Sequence, residues 1–223
     1  MEFAVTPSSV YAIVSADDRV IVANNYTHFV YDPVGQLLSE QNIGDVRYGA
    51  ELFWNSDNRR YYWYRSWNLY AAELTPLDTL TAVSNYSSES AALVAADFDS
   101  DLLLASSGKL YSANTLTEVN TLGRSIVDGV WIDGRLFAAS SSQLQEWELP
   151  TYSHGERYSP SSTIRRLGST SDGRLVLMTS INEEAPNIDI LSLDFEILTP
   201  DTLAAPPRPR ITQLSASAIN LEW

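Results

Sequence analysis

Two histidines, one run of alternating carboxylates and a scatter of acids between apolar segments are the residues whose types could do chemistry in this chain. Asp97-Phe-Asp-Ser-Asp101 sets three carboxylates on alternate positions, the kind of oxygen supply a hard cation such as calcium takes. A helix-loop-helix calcium loop wants Gly at its sixth position and Glu at its twelfth. Here those positions hold Leu102 and Gly108, so the segment reads first as a turn. Asp97, Asp99 and Asp101 stand as a weak calcium site, and no other cofactor is expected. His28 and His154 lie far apart, and there is no cysteine, whereas a closed zinc site takes four ligands. The lack of cysteine also excludes disulfides, thiolate metal sites and a cysteine nucleophile. Serines and aspartates are plentiful, yet no Gly-x-Ser-x-Gly elbow occurs. Asp45, Glu89, Asp128, Glu183 and Glu184 could serve glycoside cleavage only if two or three of them met at one point. No catalytic residue is assigned on these grounds.

The elements that would position such groups are strands. Five segments share one grammar of apolar strand, tight Asp-containing turn, second apolar strand, small-residue loop and amphipathic strand. Their register marks at Val20, Tyr61, Leu102, Leu136 and Leu175 are spaced 41, 41, 34 and 39 residues apart. A period of about 40 residues with roughly four short strands is the mark of propeller blades. A four-stranded sheet cannot hide both faces alone, so neighbouring blades must stack and cover each other. The runs Val20–Asn24, Leu102–Ser106 and Leu175–Thr179 are apolar enough to be buried on both sides. Third strands are expected at 28–32, 68–74, 109–113, 143–149 and 188–193. Outer strands follow at 36–41, 79–83, 118–122, 156–158 and 196–198. Asp133-Gly134 and Asp172-Gly173 are hairpin-turn signals.

The expected fold is therefore all-β: a propeller of about five four-stranded blades over 1–203, with blades at roughly 8–48, 49–88, 89–125, 126–163 and 164–203. The segments Phe29-Val-Tyr-Asp-Pro-Val-Gly35 and Leu144-Gln-Glu-Trp-Glu-Leu-Pro150 resemble third strands of the YVTN and WD-repeat propeller families. The resemblance covers about residues 8–200 and implies fold rather than activity. The Gly-His and Trp-Asp signatures of true WD repeats are missing. Residues 204–209 form a proline-rich linker, extended and semi-rigid by composition. Residues 210–223 then resemble the first strands of a fibronectin type III domain, with Leu214 upstream and Leu221-x-Trp223 ending the second strand. Half a sandwich lacks a partner sheet, so a C-terminal hairpin or partial sandwich is expected, with further β-modules in the parent chain. A hairpin docked on the propeller is the plainer alternative.

Loops joining second to third strands share one propeller face with the connections between blades. That face would carry Tyr26, His28, Arg65, Trp67, Glu183 and Asn187 as ligand-binding candidates. Lys109 and Gln143, and Arg47, Tyr86 and Arg124 on the connections, join them. Tyr26, Trp67 and nearby asparagines suit sugar stacking and hydrogen bonding, although Trp67 could equally pack between blades.

A formal charge of −14, from 28 acids against 14 bases, opposes phosphate backbones and anionic membranes. Nucleic acid is thus not an expected partner. No apolar run approaches the ~20 residues of a membrane span, so membrane insertion is not expected either. Many bacterial exported proteins also lack cysteine, and residues 1–6 carry no signal-peptide pattern. The function expected is non-enzymatic binding or adhesion, with one face presented to a glycan or protein partner. It would sit within a larger secreted, cell-surface or virion protein. A rigid structural spacer is the alternative, and a propeller glycoside hydrolase the second alternative.

Overall fold

We describe a computed structural model of the chain over residues 10–46, 51–65, 68–83, 91–180 and 186–198, with the backbone alone at 87–88, 210–215 and 218–222. Five antiparallel sheets follow one another along the sequence. The first holds β1 (Ala12–Ala16), β2 (Arg19–Ala23), β3 (Thr27–Tyr31) and β4 (Leu37–Asn42). The second holds β5 (Phe53–Asn55), β6 (Arg60–Arg65), β7 (Asn68–Leu74) and β8 (Leu80–Ala82), with β9 (Ser87–Ser88) also pairing β7. The third comprises β10 (Leu93–Asp97), β11 (Leu102–Ala105), β12 (Lys109–Ser112) and β13 (Glu118–Thr121). The fourth comprises β14 (Asp128–Ile132), β15 (Arg135–Ala139), β16 (Leu144–Glu148) and β17 (Ser153–Tyr158). The fifth has three strands, β18 (Thr163–Ser169), β19 (Leu175–Ser180) and β20 (Asn187–Leu191). Its expected fourth strand at 196–198 is reduced to the bridge between Leu191 and Ile197, held by bonds from Leu198 N to Ile190 O (2.8 Å) and from Ser192 N to Glu196 O (2.9 Å). A separate hairpin pairs β21 (Arg210–Ser215) with β22 (Ala218–Glu222).

Within each sheet the order is that of the chain, apart from β9, which pairs β7. At Asp133-Gly134 both residues take positive φ (51° and 74°), the conformation a two-residue hairpin needs to match strand twist. The first strands β10, β14 and β18 approach one another from sheet to sheet, as do β1 and β5, which puts them nearest a common axis. We call the side bearing the first-to-second and third-to-fourth turns the lower face, and the opposite side the upper face.

The cores lie between sheets. Ile21, Ala23 and Val30 of blade 1 pack with Tyr61, Trp63, Ala72 and Leu74 of blade 2. Tyr62, Leu69 and Ala71 turn the other way, onto Leu103, Tyr111 and Leu116 of blade 3. Leu104 and Leu110 then meet Leu136, Ala138 and Trp147 of blade 4. Phe137, Ala139 and Leu144 meet Leu167, Leu175, Leu177 and Leu191 of blade 5. Middle strands accordingly lack the buried-exposed alternation of a one-sided sheet, and β11 is buried at all four residues.

Three struts repeat on the upper face. An amide on the way into or at the start of a first strand donates to the loop carbonyl of the preceding blade: Val46 to Asn25 (2.7 Å), Ile126 to Ser106 (2.8 Å) and Ile164 to Ser141 (2.7 Å). The three donors are buried apolar residues, so each strut is shielded from water. Such bonds hold the loops of adjacent blades in fixed relation, and so make the upper face a surface that can be pre-organised for a partner.

Candidate functional site

The face expected from the repeat is present, but its residues divide. Tyr26 stands on the β2–β3 loop and is 53% exposed. Asn187 opens β20, exposed, opposite Thr179. Arg65 is half-buried and its Nε lies 2.7 Å from Asp45 Oδ2, an ion pair that occupies both groups. Trp67 and Glu183 lie outside the described residues, as do Glu89, Glu184, Arg47 and Tyr86. Lys109 pairs with Glu118 at 3.0 Å.

His28 is a correction. Expected on the open face, it is fully buried beside Trp63 and Tyr61 of the next blade. Its Nε2 lies 2.8 Å from Gly44 O, and its Nδ1 meets the Tyr61 hydroxyl. Gly44 O can only accept, so Nε2 carries the proton and Nδ1 accepts from Tyr61. Burial lowers the imidazole pKa to about 4, against the backbone bond to Gly44, which raises it. Tyr61, buried too, is pushed well above the usual phenol range. This pair is a seam between two blades, neutral on both sides.

The acidic run 97–101 is a turn. Asp101 takes a left-handed φ of 57°. Its carboxylate accepts from Ser112 Oγ at 2.6 Å and from Asn114 N at 2.8 Å, tying two lower turns of one blade together. Asp97 ends β10 opposite Leu102, and Asp99 is exposed. Among the described residues no three His, Asp or Glu side chains gather in a metal-binding group.

Of the site that the geometry assembles, sequence reasoning named Asp128, among the acids that could meet at one point, and missed the rest. A cavity of about 620 Å³ runs along the axis, walled by first-strand residues of blades 2 to 5. Trp54, Phe98 and Trp131 supply aromatic surface, and Glu51, Asp128 and Arg166 supply charge. Arg166 Nη1 bonds Glu51 Oε1 at 2.6 Å across the axis and lies 3.8 Å from Asp128 Oδ2. The Trp131 indole nitrogen is buried with no hydrogen-bond partner among the described residues. A signal for these residues was present. Trp54 pairs with Tyr61 and Trp131 with Leu136, so both tryptophans fall opposite a register mark of the repeat.

Asp128 carries structure as well as charge. Oδ2 accepts from Leu167 N of the next blade at 3.0 Å, and Oδ1 from Gly129 N at 2.9 Å. Burial raises its pKa above the ordinary carboxyl value, while the Leu167 and Gly129 amides and Arg166 pull it back. Replacing Asp128 by Ala strands the Leu167 amide and should cost about 2 kcal/mol. Asp128→Asn keeps an acceptor and sheds the buried charge, so it should cost less than half of that. Urea unfolding of both variants gives the comparison, and equal losses would show that the charge itself is needed.

No protein-family model and no curated protein matches the sequence. The structure is similar to a chain in a solved structure titled "Crystal Structure of Mitotic Checkpoint Complex", with a TM-score of 0.65 at 16% identity. The alignment covers 84% of this chain and 62% of that one. The fold is propeller-like. At that identity the likeness carries architecture alone, and the propeller spans less than two thirds of the chain it resembles.

Proposed function

We propose that this propeller is a non-enzymatic binding module that presents one face, with the axial cavity at its centre, to a protein partner. One observation carries the reading: the axial cavity of about 620 Å³, which brings aromatic walls, a shared arginine and an unpartnered indole N–H together from four blades. Concavities that set a few fixed polar groups beside aromatic walls can take a ligand, and Trp and Arg are the side chains that anchor partners. An inserted apolar side chain would lie against Trp54 and Phe98, with the Arg166 guanidinium beside it.

Glycan recognition is the second reading, supported by the exposed Tyr26 ring on the upper face. Adhesion as part of a larger extracellular or surface protein belongs with it. The antiparallel pairing of Arg210–Ser215 with Ala218–Glu222 supports reading 210–223 as the opening of a fibronectin type III-like module after the linker at 204–209.

A displayed peptide library and a glycan array tested on the whole chain will show which class binds. Trp131→Ala and Arg166→Gln should each weaken the selected ligand at least tenfold while thermal unfolding stays cooperative. Affinity unchanged in both variants would remove the axial mouth from the binding surface.

A further inference from the structure

We propose that a cleft on the upper face of blade 4 binds a phosphoryl-type oxyanion. The cleft encloses about 410 Å³ and is lined by Arg124, Ser140, Ser142, Gln143 and Ser159, with no carboxylate among them. In a chain with twice as many acids as bases, Arg124 forms no ion pair among the described residues. Its Nη1 donates to Gln143 Oε1 at 2.8 Å, and its guanidinium lies 5.9 Å from the centre of the Trp147 ring. Those two contacts fix the plane of the fork and leave its remaining N–H groups for a ligand.

The backbone beneath is equally fixed. Leu122 N bonds Gly108 O and Ile126 N bonds Ser106 O, both at 2.8 Å, so the loop carrying Arg124 is clamped on either side. Ser142 and Ser159 are exposed and place hydroxyl donors at the rim, while Ser140 Oγ is engaged with Gln143 O at 3.2 Å. The fork alone suits a carboxylate and a phosphate equally, but the flanking hydroxyls add donors that a group with three or four oxygens can use and a carboxylate held by the fork cannot.

Two acids toward the upper side are already engaged, Asp45 by Arg65 at 2.7 Å and Asp128 by the Leu167 and Gly129 amides. Asp17, Asp57, Asp99, Asp133, Asp172 and Asp194 all sit in lower-face turns, a strand's length away. Five residues of strand span roughly 17 Å, about two Debye lengths at physiological salt. Nearer by, Arg157 and Arg165 emerge on the upper side of blades 4 and 5, bonded to His154 and Ser180 and, among the described residues, to no carboxylate.

The inference deepens the partner-binding reading and rests on it only for where the phosphoryl group comes from. The test is an amide NMR titration of the whole chain with inorganic phosphate, a phosphoserine peptide, and the same peptide carrying glutamate. Phosphate and the phosphopeptide should shift the amides of 124, 140–143 and 159, and each should displace the other. The glutamate peptide should bind at least tenfold more weakly. Arg124→Gln should lose tenfold or more and Ser142→Ala two- to threefold, whereas Arg165→Gln, outside the cleft, should change affinity less than twofold. A phosphopeptide tenfold tighter than free phosphate places the group on a partner chain. Equal affinities assign the cleft to a free anion, and either result upholds the oxyanion site. Trp131→Ala should leave the phosphate titration unchanged, which separates this site from the axial one. Shifts confined to other residues, or equal binding by folded Arg124→Gln and Ser142→Ala, would overturn the proposal.

Discussion

Lowering the pH from 7 to 4 should cost this propeller roughly 3 kcal/mol of stability through His28 alone. The sign follows from which state takes the proton first. In the unfolded chain His28 titrates near its ordinary 6.5, whereas in the folded state burial holds it down to about 4. Between those values the unfolded state binds the extra proton, so stability is complete above about pH 6.5 and drains away as the pH falls towards 4. Protonation would also turn Nδ1 into a donor facing the Tyr61 hydroxyl, and the phenol, pushed well above its usual range, stays neutral and cannot compensate the charge. Urea unfolding at pH 7 and pH 4 measures the loss. Carboxylates contribute to acid sensitivity as well, so the deciding quantity is the difference between wild type and His28→Gln. Wild type should lose about 3 kcal/mol more than the variant over that range, and identical pH dependence in the two would refute the assignment.

Gly108→Ala should be the most damaging small substitution on the upper face, at about 2–4 kcal/mol. Gly108 has φ +85°, which costs an L-residue about 1 kcal/mol or more. A Cβ built there falls 2.0 Å from Arg124 O. That contact is with backbone, which no rotamer change relieves, and overpacking of this kind adds roughly 1–3 kcal/mol. The loop clamped by Leu122 N and Ile126 N must shift, and Arg124 shifts with it. Thermal unfolding should therefore show a lowered midpoint, and the phosphate titration should weaken in the same variant. Gly134→Ala is the control. It too has positive φ (74°), but a Cβ there meets nothing within 4 Å, so only the backbone term applies. Equal losses at the two glycines would mean that the close approach to Arg124 does not matter.

Period and polarity made the fold legible. The register marks fall in or beside second strands of the five sheets, and the first four outer strands lie within a few residues of where they were expected. The fifth outer strand failed because 196–198 holds a single bridge, Leu191 to Ile197, made by two backbone bonds, rather than a run of paired residues. His28 failed for a related reason. Reading 28–32 as alternately exposed presumes a sheet with one wet face, yet β3 is buried at four of five positions because its blade is packed on both sides. A polar residue in such a strand stays dry if the neighbouring blade offers partners, and Gly44 and Tyr61 do. The axial site lay hidden because Glu51, Asp128 and Arg166 come from three repeats, and no spacing within one repeat relates them.

Each face of an interior blade is co-owned, and this bears on how the repeats could drift apart. Tyr62 answers to Leu103 and Tyr111 across a seam rather than to its own sheet, and Leu104 likewise answers to Leu136. A bulky residue gained in one repeat must be matched by a small one in the next, so compensation runs along the chain and leaves no repeat free to keep a shared set of side chains. The aromatic Tyr61-Tyr-Trp-Tyr64 and the aliphatic Leu102-Leu-Leu-Ala105 can thus hold the same place in successive blades. Period and turn chemistry persist under that exchange while identity does not.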